Sequence, residues 1–510
     1  MDSPILTSAQ MRTAEKAAFA RGVEVEDLMD QAGAGVARAV RQFFPRPQRC
    51  IVFAGKGHNG GDALVAAEHL KRWGWKIDIR LPFPESDCSE LTRKKLQSLR
   101  DAESGKDLSA ATVETSRPLP YSRTIVLDGL LGLGTQSLLR EPIRRAAREI
   151  NRLRGEQNAF VFAVDLPTGL NADNGEFDPD CVIADVTVTI GFAKHGLIVD
   201  SALDVVGRLE VVPLPDLAPP ESAPNEILAS AHSLGPLLPR RKFSAYKNQF
   251  GRVGVVAGSK GFVGAALMTT EGALRSGAGL VEVFVPEEIY SIVASAAPVE
   301  AMVKSVRSYR KLPEDNIDVW AVGPGLGTAH ASHLRQFIKE AGKPMVLDAD
   351  GLNILAGKID ILKKSAGKRL LTPHPGEMER LIHPGKMTRA WIARNVCENL
   401  PVTLLFKGSR TIVCEDNRPL SYNSTGNPGM ATGGMGDVLT GVCAGLAAQG
   451  LSLYDAARVG AWVCGRAAEM SIFNANESQE SLLPRDVLQN LGPAFNDLHH
   501  PWIDVTDSDK

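Results

Sequence analysis

The residues best equipped for chemistry lie in NPGMATGGMGDVLTG, 427 to 441, where a single acid, Asp437, follows a run of glycines and opens an apolar helical pattern. Glycines at a helix start free backbone N–H groups to meet an anion, and the helix dipole adds positive potential there. A carboxylate in that place repels the anion unless it has another target. A hydroxyl attacking bound phosphate would be one: Asp437 takes its proton while the helix end, with Gly433, Gly434 and Gly436, stabilises the developing charge. The plain alternative is that Asp437 caps the helix. Five glycines in this stretch exceed what a cap requires.

The first half of the chain holds a second group of candidates. KGHNGGD (56 to 62) leaves an apolar run through Asn59, Gly60, Gly61 and Asp62, with neither G-x-G-x-x-G nor P-loop spacing. It reads equally as an anion cradle or as a tight turn with Asp62 as cap. DGLLGLGTQ (128 to 136) adds a second glycine-rich loop, and DLPTG (165 to 169) a carboxylate, a rigid proline and a hydroxyl. Asn59, Asp128 and Thr168 offer amide, carboxylate and hydroxyl oxygens, the donor set of a hard cation. Asp165 is then the carboxylate best suited to move a proton. In the second half, Asp348, Asp350 and Asn353 of DADGLN, or His374 and Glu377 of TPHPGEMERL, could serve magnesium through water. KGSRT (407 to 411) lies between two short apolar runs and predicts a hairpin whose turn presents Lys407, Ser409, Arg410 and backbone N–H groups.

Such loops need strands to aim them. Apolar runs bounded by glycine alternate with helical-period segments, the pattern of a parallel sheet covered on both faces. Strands are predicted at 50–55, 75–81, 123–132, 159–167 and 185–192, then at 251–259, 279–286, 318–325, 343–350, 368–375 and 402–409. Between the two groups PLPDLAPPESAP (213 to 224) has no apolar period and reads as a linker. In open sheets of this kind ligands sit outside the carboxyl ends of the strands, and the unusual residues above all fall there. At 510 residues the chain exceeds one ordinary core. Lys plus Arg number 57 against 59 for Asp plus Glu, so charge gives no reason to expect nucleic acid or a membrane surface as partner. Seven scattered cysteines without CxxC spacing read as reduced thiols, and the absence of a signal layout or a bilayer-length apolar run predicts a cytoplasmic protein.

GHNGGD, DGLLGLGT and AVDLPTGL together resemble the NAD(P)H-hydrate epimerases over most of residues 1 to 215. The resemblance implies a Rossmann-like three-layer α/β sandwich that interconverts the R and S hydrates, NADHX and NADPHX. It implies potassium on Asn59, Asp128 and Thr168. It also implies a hydrate held by His58, Asn59, Gly60, Gly61 and Asp62 and by Gly132, Leu133, Gly134, Thr135, Gln136, Ser137 and Leu138, with Asp165 as acid/base. Family members often have Asn where His58 stands. GSKGFVGAAL, GPGLG, LDADGLN, LTPHPGEMERL, LLFKGSRTIV and NPGMATGGMGDVLTG resemble, in order, the ADP- or ATP-dependent NAD(P)H-hydrate dehydratases, which have a ribokinase-like α/β fold. That resemblance implies hydrate contacts from Ala265, Gly325, His374 and Asp437, and nucleotide contacts from Lys407, Gly408, Ser409, Arg410, Thr411 and Gly436. ADP is the expected cosubstrate, with magnesium. The implied organisation is an epimerase domain over 1–215, a linker over 216–227, a dehydratase domain over 228–495 and a polar tail over 496–510, in a homo-oligomer. The rival reading is a ribokinase-like small-molecule kinase with a regulatory first domain, and a third treats the first unit as a noncatalytic scaffold.

Overall fold

A computed structural model describes residues 3–104, 123–134, 138–222, 225–310, 312, 316–475 and 477–501. The chain divides into two compact units, Ser3–Pro224 and Asn225–His500. The predicted linker over 216–227 and tail over 496–510 both give way to regular structure at one end. A strand begins at Glu226, and the last helix runs to His499 because Leu498 is buried.

In the first unit the strands are β1 (Ser3–Leu6), β2 (Arg49–Ala54), β3 (Lys76–Arg80), β4 (Thr124–Gly129), β5 (Phe160–Val164), β6 (Val186–Ile190), β7 (Ala193–Lys194) and β8 (Arg208–Val212). Six form a parallel sheet in the order β3-β2-β4-β5-β6-β8. Parallel strands need helical crossovers on both faces, which is why β2, β4 and β5 are apolar throughout their centres. On one face Ile51, Val126 and Val161 join Ile143, Ala147 and Ile150 of the helix Ile143–Gln157 in one core cluster. On the other, Phe43 of the helix Val25–Phe43 meets Phe162 edge-on at 5.9 Å between ring centroids. Order reverses between β2 and β4, so the crevice for a ligand opens at their carboxyl ends. β1 and β7 form a short parallel pair, with Leu6 opposite Lys194.

The second unit contains β9 (Glu226–Ala229), β10 (Arg252–Val256), β11 (Leu280–Pro286), β12 (Met302–Val306), β13 (Val319–Val322), β14 (Met345–Leu347), β15 (Arg369–Leu371), β16 (Val402–Phe406), β17 (Ile412–Cys414) and β18 (Leu420–Asn423). Their order is β12-β11-β10-β13-β14-β15-β16-β17-β18-β9, parallel from β12 to β16. The predicted KGSRT hairpin is present: β16 and β17 pair antiparallel, with Phe406 opposite Ile412. Val253, Val255, Val283 and Ala321 face a core shared with the helices Val263–Arg275, Met435–Ala448 and Leu453–Ala475. Trp320 points the other way, edge-on to Phe337 of the helix Ala331–Glu340. Order reverses between β10 and β13. The seven cysteines are free and buried.

Candidate active sites

In the first unit four strand ends converge. The loop after β2 enters the helix His58–Arg72 through Gly57, which occupies the cap position. Asp62 therefore lies inside the helix and is no N-cap, which removes the capping alternative. At the end of β4, Asp128 is wholly buried and receives Thr168 N at 2.8 Å, Thr168 Oγ1 at 2.7 Å and Leu130 N at 3.3 Å. Burial pushes its carboxyl up to about 6, against those hydrogen bonds, and no lysine or arginine contributes. Asn59 reaches the same region: a side chain on Gly132 would stand 3.4 Å from its Oδ1. Asn59 Nδ2 is buried without a partner among the described residues.

Asp165 follows β5 in the left-handed region, φ +66°, where an aspartate is tolerated at some cost. Its Oδ1 accepts from Ile190 N at 3.1 Å, Thr189 Oγ1 at 3.3 Å and the ammonium of Lys194. Sequence reading missed Lys194. The available signal was a lone lysine within TIGFAKHGL, just past a strand end. Burial first, and Asp165 second, push Asp62 well above the usual carboxylate range; Glu15 is raised chiefly by burial. Leu138 is exposed, and Leu133 O accepts from Arg12. Thr135, Gln136 and Ser137 lie outside the described residues.

In the second unit the loops after β10 and β13 are tied by Gly258 N to Pro324 O at 2.8 Å and Ser259 Oγ to Gly325 O at 2.7 Å. Gly325 has φ +63°, and a Cβ there would come within 2.9 Å of Ala265 Cβ. The two predicted hydrate contacts are thus adjacent. After β14, Asp348 is almost fully buried, taking Lys407 Nζ at 2.7 Å on Oδ1 and Thr440 Oγ1 at 2.8 Å on Oδ2. Burial opposes that charge, but Lys407 and Thr440 hold the carboxyl below its usual range. Lys407 also lies 3.7 Å from Glu377, and these anions raise its pKa despite burial. Asp350 instead accepts Gly327 N and Asn353 Nδ2. His374 caps the helix Pro375–Ile382: its Nδ1 accepts from Gly376 N at 3.0 Å and Glu377 N at 3.3 Å.

Gly434, at φ +93°, caps the helix Met435–Ala448. Asp437 sits in its first turn and makes no capping bond, so the plain alternative fails. Its pKa is pushed up to about 7, by burial first and by Asp348 next, with Lys407 opposing. Gly436 is the point of closest approach, since a Cβ there would stand 3.2 Å from both Asp348 Oδ2 and Lys407 Nζ. Gly408 and Ser409 are exposed at the hairpin turn, Thr411 Oγ1 donates to Gly408 O, and the Arg410 side chain is buried rather than presented at the turn. Thr440 was not assigned to the site by the sequence motifs, and Asp348, offered there as a magnesium candidate, holds Lys407 and Thr440 instead.

The family model for NAD(P)H-hydrate dehydratase matches residues 253–491, and that for the YjeF-related protein N-terminus matches 25–196. The bifunctional NAD(P)H-hydrate repair enzyme Nnr of Moorella thermoacetica is 34% identical over 491 residues, 91% of each chain. That of Coxiella burnetii is 33% identical over 502 residues, 96% of this chain and 98% of its own. Among solved structures, an ADP/ATP-dependent NAD(P)H-hydrate dehydratase from Bacillus subtilis, co-crystallised with ATP and Mg2+, is 26% identical with a TM-score of 0.48. It covers 54% of this chain and all of its own. With two sheets, each ending in its own polar cluster, and relatives matching nearly from end to end, the chain belongs to the bifunctional NAD(P)H-hydrate repair enzymes.

Proposed function

We propose that the first unit exchanges the R and S hydrates of NADH and NADPH at Asp165, and that the second converts the S hydrate to NAD(P)H at Asp437 with ADP. In the exchange, the hydroxyl on the carbon beside the ring nitrogen gives its proton to Asp165. The electron pair left on oxygen forms a carbonyl as the carbon–nitrogen bond opens, and nitrogen keeps that bond's pair. Closure on the other face reverses each step. Residues 58–62, 132–134 and Leu138 would hold the hydrate, together with 135–137. Asn59, Asp128 and Thr168 fit a potassium ion, because Asp128 is a buried carboxylate with oxygen donors around it and, among the described residues, no cationic side chain beside it. Bound there, the ion would supply fixed positive charge for the phosphates and the adjacent loop.

In the second unit, Ala265, Gly325 and His374 would position the hydrate with its hydroxyl toward Asp437. Asp437 takes the hydroxyl proton, oxygen bonds the terminal phosphorus of ADP, and AMP leaves. The carbon–oxygen bond then breaks, expelling phosphate and, with loss of a proton from the neighbouring carbon, restoring the dihydronicotinamide ring. Because Lys407 already faces Asp348, phosphate binding would draw mainly on backbone N–H groups of 408–411 and of Gly436 at the helix start. No group of three His, Cys, Asp or Glu side chains among the described residues forms a metal cage, so magnesium would arrive with the nucleotide and take phosphate oxygens as ligands. No helix among the described residues is long and apolar enough to cross a membrane.

The observation that carries the dehydratase half is a carboxylate with a pKa near 7 in the first turn of a glycine-capped helix, beside a buried lysine. Incubating separated S hydrate with ADP should release phosphate and AMP and regenerate dihydronicotinamide absorbance. A stable phosphorylated product would instead make the second unit a kinase.

A further inference from the structure

We propose that Lys194 is a positioning residue of hydrate exchange: its buried ammonium fixes Oδ1 of Asp165 and leaves Oδ2 as the oxygen that trades a proton with the substrate. This rests on the assignment of Asp165 as the acid/base.

Lys194 has no solvent exposure. Its Nζ donates to Asp165 Oδ1, to Thr189 Oγ1 at 3.1 Å and to Ile190 O at 2.9 Å, which uses all three ammonium donors. A lysine so placed is costly unless it is paired, and the partner it has is the strained carboxylate at the end of β5. Every hydrogen bond that the Asp165 side chain receives among the described residues falls on Oδ1. Oδ2 is therefore the oxygen left for a ligand.

The surroundings explain why an ammonium is needed. The charge of Asp165 bears on both Glu15, from the helix Ser8–Ala20, and Asp62, from the helix His58–Arg72, with Asp30 also acting on Asp62. His58 and Arg12 also act on Glu15, lowering its pKa against burial. Three carboxyl groups thus share one buried cation, and burial drives Glu15 and Asp62 toward their neutral forms. The only direct ion pair of Lys194 among the described residues goes to Asp165. The lysine is held in turn by the β1–β7 pairing, where Leu6 opposes Lys194.

The test uses the full chain and separated R and S hydrates. Lys194→Gln should lower kcat for exchange about 100-fold or more while KM stays within about threefold, since the lost function is proton transfer. Removing the cation favours the protonated carboxyl, so the acid limb of the exchange pH profile should move upward by about one unit or more. Lys194→Arg should restore about a tenth or more of the rate, because it restores the charge. Dehydration of S hydrate by the second unit should be unchanged, which reports on soluble, folded chain. If Lys194→Gln does not fold, Thr189→Val, which removes the hydroxyl shared by both partners, should shift the profile in the same direction by a smaller amount. An unchanged kcat and profile, or a fall in rate with an unmoved profile, overturns the proposal. Exchange that persists in Asp165→Asn would instead sink the acid/base assignment itself.

Discussion

Asp437 is poised between acid and base near neutrality because burial, and Asp348 after it, make its charged form unfavourable. As a base it must be ionised, so the dehydration rate should climb with pH through about 7 and level off above it. Asp437→Asn should cut kcat by about 10²–10⁴ and leave a flat profile. The same shift has a stability consequence. The folded carboxyl holds its proton more tightly than the unfolded one at 3.8, so stability falls as pH rises from there to about 7 and stays lower above. Asp437→Asn should therefore stabilise the second unit at pH 8 by roughly 2–4 kcal/mol, read from denaturant midpoints. Lys407 makes the opposite case. Its raised pKa and the lowered pKa of Asp348 mean that the pair contributes stability above the unfolded 3.8 of Asp348 and below the unfolded 10.5 of Lys407. Lys407→Met should cost about 3–5 kcal/mol at pH 7, since it strands a buried carboxylate. A destabilisation that persists undiminished at pH 3 would show that packing, not charge, is lost.

The elements act by bringing loops from alternate strands to one line. Gly325, after β13, approaches Ala265 of the helix that follows β10, and both its φ of +63° and a 2.9 Å approach exclude a side chain. Gly325→Ala should therefore abolish S-hydrate dehydration while R/S exchange continues in the first unit, measured on one preparation. The parallel type of these strands was legible because strands buried on both faces leave continuous apolar runs, as in β10, β11 and β16. β1, β7, β9 and β18 were not, because two to four residues carry too little periodicity, and β8 and β12 were not because Glu210 and Lys304 interrupt their short apolar runs. The same limit hid Lys194: it is 29 residues from Asp165 in the chain, and only the positions of β5, β6 and β7 make them neighbours. Asp437 was readable because its glycines and helix are consecutive in sequence, whereas the Asp348–Lys407–Thr440 contact joins three separate elements.

At the scale of the molecule, each unit has its own apolar core, and each candidate site is built from parallel strand ends within one unit. The residues proposed for each site all come from one unit, so the two chemistries should separate by single substitutions. Asp165→Asn should consume S hydrate and leave R hydrate untouched apart from its uncatalysed conversion. Asp437→Asn should equilibrate R and S and regenerate no NAD(P)H. An equimolar mixture of the two variants then tests whether the intermediate travels freely. Because the S hydrate is a small molecule and the residues proposed for each site come from one unit, the mixture should convert R hydrate to NAD(P)H completely with ADP present. Its rate should approach that of the native chain once hydrate exceeds the KM of the second unit. A mixture that stalls at the level of Asp165→Asn alone would mean that the S hydrate must pass within a single chain.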